Sequence, residues 1–296
     1  MSLKRSRNKN RSKNRSKNRS RNRSKKIYDG VNNKLFTLGG IPKIIHQIWI
    51  GEEMSTLNKL YTESCKNMEG WRYKLWGNDD ITPENFPKTY SYIKKCMQIG
   101  NELGTIKKKY AQISDMMRLE ILYRHGGVYI DITVECLKNL NKLLNNTTYS
   151  FVVSNENDCS FKCKTSNGYY ISNSFIASTR YNKILEFMFK QLRYVDFYSP
   201  YVNQQTGPYF MGKNIRKLRI KNALKYNITM LPREYIYPVQ YKELKEYKAD
   251  NCLSFEPKPG FKKFSKGIDD IYIKYPCTDY PCSYTIKHWY AGGTWL

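Results

Sequence analysis

AQISDMMRLEILYRHGGVYIDITVE, residues 111–135, decides the fold. Met117, Ile121 and Leu122 recur at helical spacing, as do Met116, Leu119 and Tyr123, so a helix is predicted over 111–127. Gly126 and Gly127 suit its C-terminal stop. From Val128 onward the pattern alternates with period two. Tyr129, Asp131, Thr133 and Glu135 fall on one side, and Val128, Ile130, Ile132 and Val134 on the other. A half-buried strand over 126–135 is predicted, carrying two acids on one face. Asp115 and Arg118, three apart, share a helix face. A short connection keeps that helix beside the strand. An arginine and acids then converge on one edge of a sheet, where α/β proteins bind ligands. Arginine suits phosphate oxygens, and carboxylates suit the hard cations Mg²⁺ and Mn²⁺. The plain reading of the same residues is a surface ion pair and a solvated strand face.

The chain around this segment alternates in the same way. Strands are predicted in IPKIIHQIWIG (41–51), WRYKLWGNDD (71–80), FVVSNEND (151–158) and YYISNSFIAST (169–179), with short β segments at 228–232 and 270–275. Helices are predicted near 55–68, 88–103 and 181–195. The class is therefore α/β, with a central, largely parallel sheet. The 296 residues are 40% hydrophobic and 15% aromatic, enough for a buried core. No linker follows residue 40, so residues 31–296 read as one domain. His46 reads as structural, and His125 as a cation placed for the dipole of the helix end.

Residues 1–30 read differently. The first 26 hold 13 Lys and Arg and no acid, half of the net charge of +26. This Lys/Arg/Ser/Asn-rich stretch reads as a disordered basic tail. Residues 4–26 suit non-specific contact with nucleic acid or an anionic surface. No recognised nucleic-acid-binding motif accompanies them. No apolar segment follows the charges as in a signal peptide, and no run of about 18 apolar residues spans a membrane. The expectation is a soluble, cytoplasmic protein, of host cytoplasm or virion if the frequent Lys, Asn, Ile and Tyr, which suit an AT-rich coding genome, mark a virus. The eight cysteines then read as reduced thiols. Cys159/Cys163 and Cys277/Cys282 lack the usual zinc spacing, which favours loop or core cysteines over a structural zinc.

SDMMRLEILYRHGGVYID (114–131) resembles the signature of glycosyltransferases with a DXD sugar-binding region. That family includes yeast initiating α-1,6-mannosyltransferase and is related to the clostridial glucosylating toxins. Its pattern is S-D-x-x-R, an apolar helix, then G-G-x-Y-x-D-x-D. IPKIIHQIWIG resembles its opening strand and YKLW (73–76) its second. SNSF (172–175) is similar to its Asn-containing segment, TGP (206–208) to a recurrent turn, and HWYAGGTW (288–295) to its closing element. The resemblance implies a GT-A-like, Rossmann-type domain that moves a hexose, with retention, from UDP- or GDP-hexose to a glycan, protein or lipid. It implies Trp49 on the base and Asp115, Arg118, Tyr129 and Asn173 on ribose, sugar or phosphate. Asp131 and His288 would meet Mn²⁺ or Mg²⁺, and Thr294 and Trp295 would close over the diphosphate. The closing element has Thr294 for the family's serine and one residue added, and the departure that bears on the metal is Thr133, which stands where the second aspartate belongs. Either Glu135, two residues on, or His288 with Asp131 takes over its work, or the chain is an inactive member with an anion-binding tail.

Overall fold

The computed structural model describes residues 37–38, 40–146, 148–155, 171–222, 228–238, 262–264, 272–274 and 283–288. The basic tail, the two close cysteine pairs, Thr294 and Trp295 lie outside these residues.

A short hairpin, β1 (Thr37–Leu38) and β2 (Ile41–Pro42), leads into β3 (Ile44–Ile48). Helix α1 (Thr56–Lys66) starts at Ser55, whose hydroxyl accepts from the Asn58 amide at 3.2 Å. Then come β4 (Arg72–Trp76), α2 (Tyr90–Glu102), α3 (Ile106–His125), β5 (Gly127–Ile130), β6 (Val134–Cys136), β7 (Phe151–Ser154) and β8 (Phe175–Ser178). The chain continues through α4 (Lys183–Leu192), α5 (Val202–Gln205), α6 (Pro208–Asn222), β9 (Ile228–Leu231) and α7 (Arg233–Ile236). Three short strands follow: β10 (Lys262–Phe264), β11 (Tyr272–Lys274) and β12 (Thr285–Lys287). The central sheet runs β4-β3-β5-β8-β7-β9. Three of its five pairings are parallel, β3 with β4, β3 with β5, and β7 with β9. The α/β class and the single domain with a largely parallel sheet therefore stand.

The sheet separates two cores. Tyr129, Val153 and Ile176 face a layer built by α2, α3, α4 and α6. Val128, Ile130, Val152 and Phe175 face Cys65 and Met68 at the end of α1, and Ile236 and Tyr237 of α7. All four β5 residues are buried, so this strand is covered on both faces rather than half exposed. Helix α3 is wrapped nearly all round from Gln112 to Leu122. Its Glu120 accepts from the Lys88 amide (2.9 Å), the Thr89 amide (2.8 Å) and the Thr89 hydroxyl (2.7 Å). A carboxylate from one helix thus anchors the two residues that lead into α2.

The helix-to-strand junction needs its two glycines. Gly126 has φ 61° and Gly127 φ 95°, both in the left-handed region. A β-carbon at Gly127 would lie 2.4 Å from the Ile44 carbonyl oxygen. Only glycine lets β5 start this close to β3.

Three expectations are corrected. The strand predicted over 126–135 breaks after Ile130. The Val134 amide closes a turn onto the Asp131 carbonyl at 3.0 Å, and β6 leaves the central sheet to pair antiparallel with β12. Thr133 and Glu135 therefore do not continue the face of Tyr129 and Asp131. Secondly, Cys65 and Cys136 form a disulfide, not reduced thiols, because the end of α1 packs on β6 with the two Cα atoms 5.0 Å apart. Thirdly, His125 is not a helix-end cation. Burial, with Arg124, Arg180 and Arg72 nearby, lowers its pKa to about 4. His46 is structural as expected. Its Nε2 lies 2.9 Å from the Gly126 carbonyl and its Nδ1 accepts from Trp76 Nε1 at 3.2 Å, while burial lowers its pKa to about 3.

Candidate active site at the carboxyl edge of the sheet

β3, β4 and β5 run parallel, so their carboxyl ends share one edge. Asp131 is the first residue past β5. Its amide donates to the Ser174 carbonyl at 2.9 Å, and its own carbonyl accepts from Gln47 Nε2 at 3.3 Å. Gln47 is steadied in turn by the Tyr73 hydroxyl at 2.9 Å.

The side chains predicted to act together do meet. Arg118 pairs with Asp115 Oδ1 at 3.2 Å and with Asp131 Oδ1 at 3.3 Å. It also donates to the Asn173 carbonyl at 2.6 Å and stacks over the Tyr129 ring at 4.3 Å. The Tyr129 hydroxyl donates to Asp131 Oδ1 at 2.6 Å. Asp115 accepts from Asn173 Nδ2 at 2.7 Å and from the Thr206 hydroxyl at 2.8 Å. So α3, β5, the segment before β8 and the loop before α6 converge on one buried arginine. The plain reading as a surface ion pair fails, because the side chains of Arg118 and Asp115 are only 6% and 7% exposed, against 24% for Asp131. Asp131 is the acid that faces outward.

Burial raises the Asp115 pKa to about 6, although Arg118 opposes the shift. Burial also disfavours charge on Arg118, but Tyr129, Asp131 and Asp115 outweigh it and hold the guanidinium firmly protonated. Tyr129 is pushed well above its ordinary value by burial, with Asp131 adding to the effect.

A second group lies beyond the turn. The His288 amide donates to the Thr133 carbonyl at 2.9 Å, tying the end of β12 to the turn. His288 Nε2 lies 3.1 Å from Glu135 Oε2, and its ring stacks on Tyr61 at 4.0 Å with planes 5° apart. Glu135 and His288 engage each other here.

Trp49 stands at the same edge, just past β3. Its amide bonds the Trp76 carbonyl at 2.9 Å and its Nε1 the Glu52 carbonyl at 2.6 Å. It lines a pocket of about 430 Å³ with Met54, Leu75, Gly77 and Asn78. Asn78 holds the rim by bonding both the amide and the carbonyl of Gly51, at 2.9 Å and 3.0 Å.

Sequence reasoning missed Tyr61, and gave no role to Gln47 and Ser174 although both lie in quoted segments. Nothing in their spacing distinguished them. Thr206 was visible as part of TGP, but only as a turn.

Among the described residues no three His, Cys, Asp or Glu side chains gather into a cation cage. Asp131 fits a smaller task. Among the described residues both of its side-chain contacts use Oδ1, so Oδ2 is the oxygen that would take a cation. One carboxylate together with substrate phosphates is a usual way to hold Mg²⁺.

Comparison with known proteins agrees with this geometry. Residues 54–150 match the family described as a glycosyltransferase sugar-binding region containing a DXD motif. Fold and site are thus similar to those of a glycosyltransferase. The matched segment carries Asp115, Arg118 and Asp131. An uncharacterised glycosyltransferase of Acanthamoeba polyphaga mimivirus is 28% identical over 215 residues, 72% of this chain and 77% of that one. Inositol phosphoceramide mannosyltransferase 1 of Schizosaccharomyces pombe is 29% identical over 113 residues, 37% of this chain and 33% of the relative. This chain therefore spans about a third of that mannosyltransferase. Among solved structures, the PaToxG glycosyltransferase is 22% identical, covers 60% of this chain and 70% of that one, and has a TM-score of 0.41. No helix among the described residues is long and apolar enough to cross a membrane.

Proposed function

We propose that this chain transfers a hexose, with retention of anomeric configuration, from a nucleoside diphosphate sugar to a hydroxyl of a glycan, protein or lipid. The observation that carries the reading is the Asp115–Arg118–Asp131 cluster at the carboxyl edge of the sheet, inside the segment that matches the family. Trp49, beside an open pocket at the same edge, offers its ring to a base. Arg118 holds Asp115, Asn173 and Asp131 at fixed distances, so that Asp131, the more exposed acid, meets the ribose and sugar on a frame kept rigid by the other two. Asp131, with the substrate diphosphate, would hold Mn²⁺ or Mg²⁺, which when bound would supply Lewis-acid stabilisation of the leaving diphosphate. His288, Thr294 and Trp295 are assigned to the closing side of the site by the same reading. The mannosyltransferase relative supports a hexose donor and adds a sphingolipid to the acceptor classes.

A second reading keeps the fold and loses the reaction. It is favoured by Thr133, a neutral side chain at the second acidic position, and by the engagement of Glu135 with His288. In that reading the protein's role shifts to the basic residues 4–26 and an anionic partner. Calorimetric titration of UDP and GDP, with and without Mn²⁺, separates the two. Binding of one nucleotide, tightened by Mn²⁺, supports the transferase. No binding of either by a folded sample supports the degenerate reading.

A further inference from the structure

The disulfide between Cys65 and Cys136 bears on what the surface of the chain can carry. Disulfides form and persist in oxidising surroundings, among them the lumen of the secretory path. In a reducing cytosol an Asn-x-Ser/Thr triplet has no consequence. In that lumen the same triplet accepts an N-linked glycan where it lies on a surface loop.

The triplet begins at Asn10, Asn14, Asn18, Asn22, Asn145, Asn146 and Asn227. Of these asparagines, Asn145 and Asn146 are among the described residues. The triplet of Asn145 ends on Thr147, outside them. That of Asn146 ends on Thr148, and both Asn146 and Thr148 are exposed. Their loop is anchored on both sides, by the buried Leu143 and Leu144 before it and the buried Phe151 of β7 after it. Asn146 Oδ1 accepts from the Thr148 amide at 2.9 Å and from the Thr148 hydroxyl at 2.7 Å. The Tyr149 amide closes the turn onto the Asn146 carbonyl at 3.1 Å. The carboxamide and the hydroxyl of the triplet are therefore presented outward together. The triplet of Asn227 is placed differently. Its Ile228 and Thr229 pair with Phe151 and Val152 inside the central sheet.

The loop also lies away from the candidate site. β5 and β7 both pair antiparallel with β8, so they run in the same direction. Their first residues, Gly127 and Phe151, are both level with Ser178. Asn146 precedes β7 and so stands at the amino edge of the sheet, whereas Asp131 follows β5 at the carboxyl edge. A glycan on Asn146 leaves the Asp115–Arg118–Asp131 cluster open.

We propose that Asn146 is an N-glycosylation site, and that the chain matures in an oxidising lumen where glycan transfer and the pairing of Cys65 with Cys136 both take place. Asn146 Nδ2 attacks C1 of an oligosaccharide carried on a lipid diphosphate. An N–C1 bond forms and the C1–O bond breaks. The lipid diphosphate leaves with the electron pair of that bond, and one Nδ2 proton passes to a base of the transferring enzyme. The proposal does not depend on the nucleotide-sugar reading.

The test starts from the full chain isolated from its natural source without reduction. The peptide that holds residues 145–149 is followed by mass spectrometry before and after peptide:N-glycosidase treatment in ¹⁸O water. The expected result is a glycopeptide that the glycosidase converts to one in which residue 146 has become an ¹⁸O-labelled aspartate. A bare Asn146 overturns the proposal, and a bare Asn146 beside an intact Cys65–Cys136 bond overturns it equally, by showing oxidation without glycan transfer. The full chain behind a cleavable secretory leader, produced in insect cells, assigns the acceptor. Thr148→Ser and Asn145→Gln should keep the glycan, and Thr148→Val should lose it. A glycan kept in Thr148→Val and lost in Asn145→Gln would move the acceptor to Asn145 and contradict the role of Asn146.

Discussion

Arg118 Nη1 lies 3.3 Å from Asp131 Oδ1, while the Nη2 of the same guanidinium lies 3.2 Å from Asp115 Oδ1. One buried cation thus joins a helix acid to the acid at the end of the next strand. The pair is both a fold contact and the frame of the candidate site.

That double role sets the first prediction. Arg118→Met leaves two carboxylates beside an apolar side chain. Breaking a buried charged pair from one side costs about 3–5 kcal/mol. Urea denaturation should show a loss of that size, with nucleotide binding lost in the folded fraction. A loss under about 1 kcal/mol would mean that water replaces the guanidinium easily.

Asp115 should leave a signature in pH. Its pKa is raised from 3.8 to about 6 in the folded chain, chiefly by burial. The folded state therefore holds this proton more tightly than the unfolded one. The contribution is fully present below the unfolded value and is lost as pH rises through about 6. Asp115→Asn removes the dependence. Its stability relative to the unaltered protein should rise between pH 4 and pH 7, measured by denaturation at each pH. A flat difference would mean that the folded chain does not hold the Asp115 proton more tightly.

The histidines give an opposite sign. His46 and His125 are lowered to about 3 and about 4, so both stay neutral in the folded chain where the unfolded chain takes up protons. Their contribution is present above the unfolded value of 6.5 and falls as pH drops through the folded values. In an NMR titration their ring signals should not move between pH 8 and about pH 5. Ring signals from both that titrate near pH 6.5 would contradict the packing described.

The disulfide yields a prediction about stability. Cys65 and Cys136 are separated by 71 residues, and closing a loop of that size in the unfolded chain is worth about 4 kcal/mol. Reduction, or Cys65→Ser, should lower the unfolding free energy by about that amount. Equal stability with and without dithiothreitol would show that the two thiols are not joined.

Legibility in the sequence tracked the residues that carry periodic signals. The helix through Asp115 and Arg118 was readable because apolar residues recur through it, although its start at Ile106 was not. IKKKY before it is rich in lysine and has no apolar period. Gly126 and Gly127 marked the junction correctly. The strand after them misled, because its alternation continues past Ile130 while the backbone turns at 131–134. Period two reports which side a residue faces, not where a strand leaves its sheet. Helix α6 was missed although Phe210, Met211, Ile215 and Leu218 form a buried stripe, since the preceding TGP reads as a turn. The meeting of Asp115, Arg118 and Asp131 at one edge of the sheet follows from their spacing, whereas the contacts of Tyr129 and Asn173 with them come only from the fold. The engagement of Glu135 with His288, 153 residues apart, has no local signal. The disulfide was unreadable for the same reason, with its partners on a helix and a strand that meet only in the fold.

Sugar transfer from a nucleotide donor can be observed on the donor itself. The full chain and Mn²⁺ are incubated with UDP-glucose, UDP-GlcNAc, UDP-galactose and GDP-mannose separately, and the freed sugar is followed by NMR. One donor should be consumed, its sugar should appear first as the anomer present in the donor, and Asp131→Asn should abolish the signal. Four intact donors over a folded protein, or consumption unaffected by Asp131→Asn, would contradict the proposed transfer.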